Sequence, residues 1–126
     1  MTSPTAAYGP QKVVYHFNGS DPQVNALGLK NIQNHFKALA PGQLTLVALV
    51  HAAAWVMVAK AKADPAQVDK MKSLIEQGAV FAVCANTLND NGLDPERDLA
   101  IPVKVVPAGV AELVRLQQEG YAYLKP

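Results

Sequence analysis

Two periods of apolar and polar positions alternate along this chain, and the switches between them mark its elements. Val13-Val14-Tyr15-His16-Phe17 is β-branched and aromatic and predicts a first strand. Asn18-Gly19-Ser20 predicts a turn. Asp21-Pro22 then predicts a helix start, because a carboxylate caps free N–H groups and proline suits the first helical position. Leu29, Ile32, Phe36 and Leu39 recur at helical spacing, and Pro41-Gly42 ends that helix. Leu44 to Val50 is almost continuously apolar. It predicts a second strand buried on both faces, as in a parallel sheet. His51 closes it. From Ala52 to Lys62 the pattern is ambiguous: Trp55, Met57 and the alanines suit a helix, while Val56 and Val58 suit an extended piece.

The second half repeats the alternation. Asp64-Pro65 starts another helix, with Gln67 placed for a capping box and Val68, Met71, Leu74 and Ile75 as its buried stripe. Gly78 suits its C-terminal cap. Ala79 to Val83 predicts a third strand, Asn89-Asp90-Asn91-Gly92 a turn, and Asp94-Pro95 a short helical turn. Val103 to Val106 predicts a fourth strand. Ala108 to Glu119 predicts a helix with Val110, Leu113, Val114 and Leu116 inward, stopped by Gly120. Tyr121 to Leu124 predicts a last strand. Buried strands alternating with helices predict a three-layer α/β fold around a mostly parallel sheet.

Composition narrows the picture. The 126 residues fit one domain, expected over 12–126 behind a flexible tail over 1–11. Eleven basic and 10 acidic side chains nearly cancel and form no basic block, which argues against a direct nucleic-acid partner. Lys60 and Lys62 read as the solvated end of a segment. Residues 1–10 lack the charge and apolar run of a signal peptide, and the apolar stretch from Leu44 to Ala59 falls short of a membrane span. The expected setting is the cytoplasm, away from membranes. One cysteine excludes a disulfide-stapled scaffold and dithiol chemistry.

That cysteine, Cys84, stands where an apolar strand turns polar. Ligands of open α/β sheets bind beyond the carboxyl ends of the strands. A helix starting there would turn N–H groups toward the sulfur and favour thiolate. His16 and His51 stand at the ends of neighbouring apolar runs, where either can tune the thiol or move a proton. His35, inside the first helix, reads as a surface or interface residue. The three histidines share no metal-site spacing, and no metal or cofactor is expected. Asn86 and Thr87 suit a helix cap or an anion. Asn18, with Gly19 and Ser20, forms a strand-to-helix turn lacking both dinucleotide and P-loop patterns. Pro107 and Gly109 suit a helix start that lets another group approach. Trp55, Tyr121 and Tyr123 are large rings suited to core or interface. Asn18, Trp55, Asn86, Thr87, Pro107 and Gly109 together outline a candidate pocket around Cys84, His51 and His16.

The stretches Phe81-Ala82-Val83-Cys84-Ala85-Asn86-Thr87-Leu88, Asn31-Ile32-Gln33-Asn34-His35 and Val105 to Pro126 resemble the DsrE/DsrF-like family. The resemblance runs from about Lys12 to Pro126. It implies a flavodoxin-like fold and a homo-oligomer, commonly a trimer or hexamer. Some members act in sulfur oxidation or in sulfur relay for tRNA thiolation, where a cysteine matching Cys84 carries persulfide. The family's second strand usually ends in His-Gly. This chain has His51-Ala52-Ala53-Ala54-Trp55 instead, which is expected to reshape the space beside Cys84.

Two functions follow. In the first, Cys84 accepts persulfide sulfur from a donor and passes it to an acceptor protein. In the second, the chain is a non-catalytic oligomeric module, binding a small molecule or serving structure, with an inert buried cysteine. An enzyme acting on a free metabolite lacks any constellation beyond Cys84 and the histidines.

Overall fold

The computed structural model describes residues 8–126. The residues 1–7 of the expected tail lie outside the described residues. The elements are β1 Gln11–Phe17, α1 Pro22–Ala38, β2 Leu44–Val50, a 3-10 helix Ala52–Met57, α2 Pro65–Glu76, β3 Val80–Cys84, α3 Ala85–Asp90, β4 Lys104–Val106, α4 Gly109–Gln118 and β5 Ala122–Leu124. All five strands pair in parallel, in the order β4-β3-β2-β1-β5. The α/β reading holds, with a sheet between helices.

Strand alternation sorts the core into two sides. Val13, Tyr15, Phe17, Leu46, Ala48, Val50, Phe81 and Val83 point to one face and pack on Leu29 and Ile32 of α1 and Met71 and Leu74 of α2. Val14, Leu49, Ala82 and Val106 point to the other face, where Leu116 of α4 covers them. The Asp21 and Asp64 carboxylates cap α1 and α2 by accepting from the N–H groups of Gln23 and Ala66; each cap is worth about 1 kcal/mol. Gly28 lets α1 close on the sheet, since a Cβ there would lie 2.6 Å from Phe17 Cε1 and 2.9 Å from Pro126 Cβ.

Several local expectations differ from the structure. Gln67 completes no capping box; its amide reaches across to the Pro22 carbonyl and ties α2 to α1. The turn expected over Asn89 to Gly92 is half helix, because α3 continues through Asp90. The ambiguous segment becomes the 3-10 helix followed by an isolated antiparallel bridge, Ala59 to Leu99. His35 is no free surface group: its Nδ1 lies 2.9 Å from the Tyr15 hydroxyl and its Nε2 2.7 Å from Gln11 Oε1, clipping α1 to β1.

The largest correction concerns α4. Val110 and Val114 do not face inward; they are 66% and 53% exposed. Gly109, Glu112 and Leu116 are the buried residues instead. The helix turns this way because Gly109 seats on His51 and because the Arg115 guanidinium grips the buried Glu112 carboxylate at 2.9 and 2.6 Å.

Candidate functional site

The site forms at the carboxyl edge of the sheet, on the α4 face. Val50 of β2 pairs with Val83 of β3, and His51 continues in extended backbone. His51 and Cys84 are therefore the next residues along adjacent strands, whose backbones run about 4.8 Å apart. His16 stands one strand further on, paired with Leu49. Its register partner Leu49, like Val14 and Ala82, belongs to the α4 side of the core. Period two then carries His16, His51 and Cys84 to that same side.

Cys84 ends β3 and is the N-cap of α3. Its side chain is buried, with 4% of the residue exposed. Burial pushes the thiol pKa up. Hydrogen bonds from the Thr87 and Gly109 N–H groups, the Thr87 hydroxyl and the Asn86 N–H pull it down, and the net shift is downward. Two helix starts, α3 and α4, thus aim donors at one sulfur, which is the arrangement that holds thiolate.

Thr87 also links the sulfur to the end of β2. Its Oγ1 accepts the Ala52 N–H at 3.0 Å, leaving the hydroxyl hydrogen for Cys84. Ala52 sits at φ 52°, in the left-handed region. That conformation costs a residue with a Cβ about 1–2 kcal/mol, and strain of this kind gathers at functional sites. Replacing Ala52 by Gly is expected to stabilise the fold by about 0.5–1 kcal/mol, after the extra chain entropy of glycine is subtracted. Urea unfolding of A52G checks this; a lower midpoint than wild type would refute it.

The two histidines are joined. His16 Nε2 lies 2.9 Å from His51 Nδ1, and the rings stack at 4.7 Å between centroids. His16 Nδ1 lies 2.6 Å from the Tyr123 hydroxyl. Burial, then the His51 and Lys125 charges, lower the His16 pKa to about 4. Burial also lowers that of His51. Both rings are therefore neutral near pH 7. A Cβ on Gly109 would lie 3.1 Å from the His51 Cβ and Cγ, so the residue that offers its N–H to Cys84 also touches the His51 ring.

A match to the model of the DsrE/DsrF-like family spans residues 11–126. The chain belongs to that family. Among solved structures, this DsrE-like chain is similar to MTH1491 from Methanobacterium thermoautotrophicum, described as a protein of unknown function. Identity is 29%, the TM-score is 0.82, and the match covers 92% of this chain and 99% of that one. It also shares its fold with the ychN protein from E. coli, at 17% identity and a TM-score of 0.67, over 92% of this chain and 99% of that one. No curated protein matches it in sequence.

Of the residues singled out in the sequence, the DsrE-like fold gathers Cys84, His51, His16, Asn86, Thr87 and Gly109. Neither Asn86 nor Thr87 caps α3, the role expected of them; Cys84 is its N-cap residue, without a side-chain capping bond, and groups of Asn86 and Thr87 lower the pKa of its thiol instead. Trp55 lies half-buried in the 3-10 helix, and Pro107 is exposed at the head of α4. Asn18 is exposed on the turn after β1. Its neighbours Gly19 and Ser20 line a cavity of about 320 Å³ that reaches His16 and Lys125. Two contributors were missed. Tyr123 read only as a core or interface ring, because its place depends on β5 lying beside β1. Ala52 carries no signal of its own; only the glycine that the family usually has there hints at a left-handed residue.

Proposed function

We propose that Cys84 is a persulfide carrier that takes sulfane sulfur from a donor and hands it to an acceptor protein. The observation that carries this reading is the place of Cys84, where β3 gives way to α3 beside the start of α4, with the donor groups of Thr87, Gly109 and Asn86 lowering its pKa against the effect of burial. A buried cysteine serving packing alone needs no such donors, and burial alone would raise its pKa. The Cys84 thiolate attacks the outer sulfur of a donor persulfide. A new S–S bond forms, the donor's S–S bond breaks, and the donor leaves as a thiolate that takes a proton. No net oxidation occurs. An acceptor thiolate then removes the outer sulfur by the same step and restores Cys84. Metal and cofactor have no part in this cycle.

The carrier is read as a homo-oligomer, a trimer or hexamer, working in the cytoplasm. The exposed valines Val80, Val105, Val110 and Val114 support association, and an unpaired reactive thiol suits a reducing compartment. Within the described residues, no helix is long and apolar enough to cross a membrane.

Incubation with a low-molecular-weight persulfide donor is expected to add the mass of one sulfur atom to the native chain and nothing to C84S. An unmodified wild type, or an equal adduct on C84S, would contradict the proposal.

A further inference from the structure

Strand order and alternation set four side chains in a row on one face of the sheet: Tyr123 on β5, His16 on β1, His51 after β2 and Cys84 on β3. Tyr123 pairs with Val14, two residues before His16, and so shares its face. The first three are connected by the contacts of 2.6 Å and 2.9 Å. The outer end, Tyr123, is 40% exposed. The inner end, His51, rests on Gly109 and adjoins Cys84 along the strand edge.

Every group in this chain can both give and accept a hydrogen. Two arrangements are therefore self-consistent. In one, the Tyr123 hydroxyl donates to His16 Nδ1, His16 Nε2–H donates to His51 Nδ1, and His51 Nε2 carries a hydrogen. In the other, each hydrogen is reversed and His51 Nε2 is bare. Passage from the first to the second takes a proton from water at Tyr123 and releases one at His51. Both rings are neutral before and after, which suits the buried His16 and the half-buried His51.

We propose that Tyr123, His16 and His51 form a proton relay that protonates the thiolate leaving from the sulfur donor at Cys84. The relay rests on the carrier reading and supplies the proton that reading needs. As the Cys84 thiolate bonds to the outer sulfur, the electron pair of the broken S–S bond stays on the donor sulfur. His51 Nε2–H gives that sulfur its proton, and the chain shifts to the second arrangement. When an acceptor thiol arrives, the bare Nε2 takes its proton, and the chain returns to the first. His51 is the catalytic residue; His16 and Tyr123 are positioning and relay residues.

The test compares reagents whose leaving groups differ in their need for a proton. Iodoacetamide releases iodide, which needs none. A symmetrical alkyl disulfide releases a basic alkyl thiolate, and an aromatic disulfide releases a far less basic one. Y123F keeps the ring and removes the hydroxyl. It is expected to react with the alkyl disulfide about tenfold more slowly than wild type, a modest share of what general-acid catalysis supplies. It should match wild type with iodoacetamide and with the aromatic disulfide. Equal slowing with all three reagents would mark a merely structural effect and overturn the relay. So would an unchanged rate with the alkyl disulfide. A wild type that exchanges with disulfides but takes no sulfur from a persulfide overturns the carrier reading, while the Y123F comparison still decides the relay. A native thiol inert to every reagent overturns both.

Discussion

Acidification from pH 7 to pH 4 is expected to cost the fold about 2–3 kcal/mol through His16 alone. In the unfolded chain this imidazole takes up its proton near 6.5; in the fold, burial and the neighbouring His51 and Lys125 charges hold it to about 4. Between those values the unfolded state binds more protons. Stability is therefore complete above pH 6.5, falls as the pH drops through that window, and levels off below about 4. His51 and His35 shift in the same direction, both through burial, and add to the loss. The lowered pKa of Glu112, held first by its hydrogen bonds from Arg115, acts below the ordinary carboxylate range and so outside most of this window. Urea unfolding at a series of pH values checks the expectation. His16→Asn should flatten the profile, and a midpoint that stays constant from pH 7 to 4 would refute it.

Thr87→Val is expected to damage both the thiol and the fold. The hydroxyl gives one of the hydrogen bonds that favour thiolate at Cys84. Hydrogen bonds to a charged group are worth about 1.5–3 kcal/mol; the thiolate that remains is more nucleophilic at the higher pKa, so native alkylation of Cys84 near neutral pH should slow about 4- to 16-fold. The same substitution removes the acceptor of the Ala52 N–H. Losing that partner at an exposed, left-handed residue costs about 0.5–1.5 kcal/mol more. Thr87→Ser keeps the hydroxyl and should retain most of both properties. Alkylation rates and unfolding midpoints of the two variants separate the outcomes. Equal rates for T87V and wild type would remove the hydroxyl from the thiolate site.

Strands and long helices were legible because their signals are local. Asp21-Pro22 and Asp64-Pro65 announce helix starts, and the run from Leu44 to Val50 announces a strand covered on both sides. The stripe on α4 misled because period 3.6 cannot tell a face on the sheet from a face open to partners. Val110 and Val114 have the spacing of a core face, but Gly109 and Glu112, which do not look like core, are what the sheet receives. Cys84, His51 and His16 were visible as residues at strand ends. Their alignment was not, since it follows from strand order and from registers such as Val50 with Val83. Tyr123 shows this most plainly: it is remote in sequence from His16 and reaches it only because β5 pairs with β1.

The donor nest around Cys84 is tested most directly by the pH dependence of native alkylation at this one thiol. The rate should rise with a midpoint below that of an ordinary cysteine thiol, with the protein still folded and with C84S silent. A thiol that reacts only after unfolding, or whose midpoint lies at or above the ordinary value, would contradict the account.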